Sequence, residues 1–72
     1  MQRATEVGLG LTYLSMFGEV TLRRVTEVDG TKEWIIGVRI DDTFYPQGDK
    51  DLLDAINRLI AKVEEIKDVQ VN

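Results

Sequence analysis

The sequence predicts an α+β domain: an antiparallel β-meander of three or four strands with one C-terminal amphipathic helix packed on one face, in the order β-β-β-(β)-α. Three observations lead there. Apolar residues recur at helical spacing towards the C-terminus, apolar and polar residues alternate with period two in the segments before it, and "VDGT", Val28 to Thr31, supplies a turn between two alternating runs. At 72 residues the chain reads as a single domain, 1–72, with 1–4 and 68–72 frayed. A chain of about 60 residues buries only about 60% of its unfolded surface, so a large apolar face left open in a domain this small is expected to find a partner.

The first element is "EVGLGLTYL". Val7, Leu9, Leu11 and Tyr13 alternate with Glu6, Gly8, Gly10, Thr12 and Leu14, which predicts a strand with its glycines on the face opposite the aliphatic set. A four-residue loop, Ser15 to Gly18, would then pair Leu14 with Glu19, Tyr13 with Val20 and Leu11 with Leu22. A short helix over Thr12 to Phe17 is the competing reading, with weaker capping support.

Next come two alternating runs whose register follows from their turn. Val20 and Leu22 alternate with Glu19, Thr21 and Arg23, while Trp34, Ile36, Val38 and Ile40 alternate with Glu33, Ile35, Gly37, Arg39 and Asp41. A two-residue Asp29-Gly30 loop would set Leu22 against Gly37 and Arg23 against Ile36, putting the apolar sets on opposite faces. A three-residue loop, Val28 to Gly30, with Gly30 left-handed, instead pairs Val20 with Val38, Leu22 with Ile36 and Arg24 with Trp34. In that register Arg24 can lie across the indole.

After Ile40, "DDT" makes a turn and Phe44-Tyr45 a short fourth strand or an extended lead-in. Turn length decides which of the two rings faces inward, and the sequence leaves it open. The helix is placed at Asp49 to Lys67, where Leu52, Leu53, Ile56, Leu59, Ile60, Val63 and Ile66 form one stripe. Asp49 or Asp51 can cap it, Lys67 suits its last turn, and Asp54 and Arg58 stand four apart as an ion pair. Val69 and Val71 could add a further short strand.

Composition excludes most chemistry. The chain has no cysteine, hence no disulfide, thiol nucleophile or thiolate zinc site, and no histidine, the usual general base and commonest metal ligand. No enzyme, cofactor or small-molecule substrate is expected. Neither a signal sequence nor an apolar run near the ~18 residues of a membrane span is present, so the expected location is cytoplasmic, with no membrane partner. Nine basic against thirteen acidic residues, net −4, work against a general grip on nucleic acid.

Two motifs fail on context. Gly8-x-Gly10 lacks the third glycine, and no helix follows at the spacing a dinucleotide loop needs. "DKDLLD" has neither the glycine nor the closing glutamate of a calcium loop, so no metal site is expected. Capping explains those acids better.

What remains is surface. In the predicted register the face opposite the helix carries Gly8, Gly10, Thr12 and Leu14, then Thr21, Arg23 and Val25, then Ile35, Gly37 and Arg39, with Gly10 beside Arg23 and Thr21 beside Gly37. A wet sheet face is usually written with charges and threonines, and Leu14, Val25 and Ile35 depart from that. Met16 and Phe17 fall in a loop, where Phe17 either folds back over the end of the helix or serves as an anchor in a partner's pocket.

The sequence is therefore read as a non-enzymatic protein–protein interaction module, self-associating as a homodimer or acting as an inhibitor-type binder. Its contact residues are Gly8, Gly10, Leu14, Met16, Phe17, Arg23, Val25, Ile35 and Arg39. A small acidic α+β domain of this kind is similar to virus- and phage-encoded accessory proteins that occupy a partner protein's surface, a likeness of architecture alone. The alternative is a nucleic-acid-binding sheet face using Arg23, Arg39 and Tyr45.

Overall fold

The computed structural model describes the backbone of residues 2–71 and the side chains of 6–67. Helix α1 (Gln2–Ser15) precedes three strands, β1 (Glu19–Thr26), β2 (Lys32–Ile40) and β3 (Thr43–Asp49), and helix α2 (Leu52–Val71) follows them. The strands form one open antiparallel sheet in the order β1-β2-β3. The architecture is α+β, as predicted, with a helix before the sheet as well as one after it.

The first segment corrects the sequence reading. Residues 6 to 14 are not a strand but the body of α1, longer than the short helix over Thr12 to Phe17. Val7, Gly10, Leu11 and Leu14 also stand at i, i+3, i+4 and i+7, so two periods compete over the same eight residues. Packing chooses between them. Helix α2 packs chiefly on β2 and β3, and α1 packs beside it against β1. As a helix the segment covers the rest and sends Leu14 into the core; Leu9, which belongs only to the period-two pattern, is left 66% exposed.

Leu14 from α1, Ile36 and Val38 from β2, and Ala55, Ile56, Leu59 and Val63 from α2 form the buried core, with Val7, Leu11, Phe17, Val20, Ile40, Tyr45, Leu52 and Ile60 packed around it. Both helices therefore lie on one face of the sheet. Gly10 makes their approach possible: a Cβ there would stand 2.5 Å from Cγ2 of the buried Ile56. No such contact waits at Gly8.

The β1–β2 hairpin has the predicted register, with Val20 opposite Val38, Leu22 opposite Ile36 and Arg24 opposite Trp34. Its loop is the three-residue one. Glu27 N donates to Thr31 O (2.7 Å), Gly30 N donates to Glu27 O (3.0 Å), and Gly30 has φ +91°, a conformation that glycine adopts without strain. Arg24 lies over the Trp34 ring, 4.9 Å from its centroid.

The second hairpin turns on two residues, Asp41 (φ 51°) and Asp42 (φ 68°), so that Ile40 pairs with Thr43. That turn length settles the rings: Tyr45 faces the core and Phe44 the other side. Seven residues form β3, which runs through Pro46. Counting from the Ile40–Thr43 pair, Pro46 falls where a strand's own N–H points away from its neighbour, so no ladder bond is lost.

Helix α2 begins at Leu52, three residues later than predicted, because Asp51 is the cap: its Oδ1 accepts the amide of Leu53 (2.9 Å). Asp49 accepts the Asp51 amide (3.0 Å) and meets Arg58 at 3.4 Å, so Arg58 reaches Asp49 and not Asp54. The expected fraying falls on residues whose side chains lie outside the described set. Along the backbone α1 starts at Gln2 and α2 continues to Val71, so Lys67 precedes the last turn and no strand forms from Val69 and Val71.

Candidate interaction surface

The sheet has one roofed face and one bare face. Since residues directly opposite in a ladder share a face, the bare side reads in rows across the strands: Glu19, Arg39, Phe44; Thr21, Gly37, Pro46; Arg23, Ile35, Gly48; and Val25, Glu33. Here the predicted set divides. Arg23, Val25, Ile35 and Arg39 are brought together on this face, with Thr21 beside Gly37 as expected and Arg39 opposite Glu19.

Gly8, Gly10 and Leu14 are not there. Their placement depended on a strand that is a helix, so Gly10 is buried against α2 rather than beside Arg23, Leu14 is fully buried in the core, and Gly8 is exposed on α1. Met16, 76% exposed, lies in the turn between α1 and β1. Phe17 folds back: it is half-buried against the core, its ring 5.0 Å from Tyr13 edge-on, with Lys67 Nζ 4.8 Å from its centroid. Of the two readings of Phe17, the structure takes the one in which the ring folds back onto the helical layer.

Two contributors escaped the sequence reading. Phe44 is 43% exposed and lies across Gly37, so close that any Cβ at Gly37 would overlap its ring. Its neighbour on the edge strand is Pro46. The signal that could have found Phe44 is the parity of a two-residue Asp41-Asp42 turn, which sends residue 44 to the side opposite Val38 and Ile40. Together Phe44, Ile35 and Val25 leave apolar surface on the bare face, framed by Arg23 and Arg39 and by Glu19 and Glu33.

Those four charges cancel in sign across the face. A phosphate-tracking surface needs a cationic excess, which this face lacks. Tyr45 and Trp34 belong to the helix side of the sheet, which removes Tyr45 from a sheet-face nucleic-acid site. Among the described residues no group of three or more acidic side chains is placed to hold a metal ion, and no buried side-chain nitrogen or oxygen lacks a hydrogen-bond partner. Among the described residues no helix is long and apolar enough to cross a membrane.

At the hairpin tip, Asp29 Oδ1 accepts the Thr31 amide (3.0 Å) and the Thr31 hydroxyl (2.7 Å). These bonds, the backbone one first, hold its carboxyl below the ordinary carboxylate value. The effect is local to the turn.

Comparison with protein-family models, with curated proteins and with solved structures finds no match.

Proposed function

We propose that this protein is a non-enzymatic interaction module that binds another protein through the bare face of its sheet. One observation carries the reading: the face holds apolar groups where water would favour polar ones, with the end of the Phe44 ring over Gly37 and with Ile35 and Val25 on the same face. An aromatic ring and aliphatic groups rimmed by charges of both signs are the make-up of an interface core and its rim. Binding of this kind requires no catalytic group, in keeping with a chain without histidine or cysteine. An inhibitor-type role, occupying a partner's surface, is the form of activity this chemistry supports best.

The test is capture from the native host with wild type and with Ile35→Arg, then titration of any captured protein against both. Ile35→Arg sets a third arginine in the centre of the face. The reading requires binding by wild type and its loss in the variant, with the fold retained by circular dichroism. Equal binding by the two proteins would overturn it. Tight, salt-dependent binding of a single-stranded oligonucleotide would favour the nucleic-acid alternative instead.

A further inference from the structure

The two edges of the sheet are built differently. On β3, Pro46 takes a donor out of the free edge, a common guard against unwanted strand pairing. Strand β1 has eight residues with neither proline nor glycine.

The first hairpin determines which groups β1 leaves free. Glu27 and Thr31 are a hydrogen-bonded pair, and bonded and non-bonded pairs alternate along an antiparallel ladder. Val25, Arg23, Thr21 and Glu19 therefore bond to β2, while Val20, Leu22, Arg24 and Thr26 turn their amides and carbonyls to the open edge. Among the described residues no other group takes those amides and carbonyls. At the same edge Leu22 faces the helical layer yet is 41% exposed.

We infer that β1 pairs antiparallel with β1 of a second copy of this chain, about a two-fold axis through Thr21, joining two three-stranded sheets into one of six. The occupant is identified by complementarity within the strand itself. About that axis Glu19 faces Arg23 of the second copy, and Arg23 faces its Glu19, so two opposite-charge pairs form on the bare side. Val20 and Leu22 face each other across the seam on the helix side, and both are positions with outward backbone groups, as the ladder requires. The apolar row Tyr45, Val38, Val20 then continues into Leu22 and Ile36 of the second copy, covering Leu22.

Other axes match worse. Centring on Leu22 sets Glu19 against Val25 and Val20 against Arg24, and centring on Arg23 or Arg24 opposes like charges. The shared strand is short, so the dimer is weak and concentration-dependent.

Sedimentation equilibrium of the full chain over a concentration series tests this, independently of the sheet-face reading. Wild type is expected to pass from one chain to two. Glu19→Arg and Arg23→Glu should each weaken association about tenfold, since each removes two symmetry-related pairs at once. Combining Glu19→Arg with Arg23→Glu should restore it. Leu22→Pro, which gives β1 the guard that Pro46 gives β3, should abolish it. Circular dichroism checks the fold of each variant, and the charge exchange and the proline serve as separate tests should either variant fail to fold. A single-chain mass at every concentration, single variants that associate like wild type, or a double variant as weak as the singles would overturn the proposal. So would a dimer lost in Ile35→Arg but kept in Leu22→Pro, an outcome that would leave the sheet-face reading standing.

Discussion

Gly10 and Ile56 meet where α1 packs on α2: a Cβ on Gly10 would stand 2.5 Å from Cγ2 of Ile56, a branched side chain buried on all sides. Gly8, two residues earlier on the same helix, meets nothing within 4 Å of the corresponding point. The same residue type thus does two unlike things two positions apart.

Substitution by alanine should separate them by sign. Gly10→Ala forces the helices apart or Ile56 out of its rotamer, an overpacking that lowers stability by about 1–3 kcal/mol. Gly8→Ala adds only helix propensity and should raise stability by about 0.5–1 kcal/mol. Urea denaturation followed by circular dichroism reads both. Equal effects of one sign would mean that α1 does not pack on α2 through Gly10.

Phe44 and Gly37 form the corresponding pair on the bare face, where a ring shields a residue without a side chain. Phe44→Ala should lower stability by roughly 0.2–1 kcal/mol, the range of cross-strand pairs. Gly37→Ala displaces the ring, so in the Phe44→Ala background it should do less harm than in wild type. A double-mutant cycle measures the difference, and strict additivity would rule the contact out.

Asp41 and Asp42 both hold positive φ in a two-residue hairpin turn, 51° and 68°. Asn-Gly is the pair such a turn prefers, because left-handed backbone strains most other side chains. Replacing Asp41-Asp42 by Asn-Gly should raise stability by up to about 1 kcal/mol, relief of left-handed strain outweighing glycine's greater chain entropy, seen as a higher midpoint in thermal melts. A fall in the midpoint would argue against this turn geometry.

Asp29 gives the hairpin tip a pH dependence. Its folded pKa lies below the ordinary 3.8, so its contribution is complete above that value and is lost as pH falls through the folded pKa. Thr31→Val removes the hydroxyl donor but keeps the amide, so the carboxyl should titrate at a higher pH than in wild type while staying below 3.8. Carboxyl carbon shifts across an acid titration follow it directly. An unchanged titration would mean that the hydroxyl bond plays no part in lowering the pKa.

Legibility tracked how local the deciding interaction is. The register of β1 on β2 could be worked out from residues 20 to 38 because one turn length alone brings both apolar sets to one face, and Gly30 is where that turn needs a left-handed residue. Helix α2 was legible because its apolar stripe is long enough to exclude period two, and Asp51 was named among its caps. Of the predicted contact residues, Arg23, Val25, Ile35 and Arg39 stayed on one face because they belong to that hairpin.

The remainder depended on what packs against what. "EVGLGLTYL" satisfies both periods, and its sequence holds nothing to choose between them; the choice comes from packing beside α2 against β1 and from a core that takes in Leu14. Gly8, Gly10 and Leu14 left the bare face together when that choice was made. Phe44 entered it through the length of a turn whose two aspartates are uncommon in left-handed conformation. By itself the sequence determined the hairpin, the second helix and the charges of the open face, since each follows from neighbours along the chain or directly across one turn. Tertiary structure decided the first helix and the ring on the bare face, because burial is settled between elements distant in sequence.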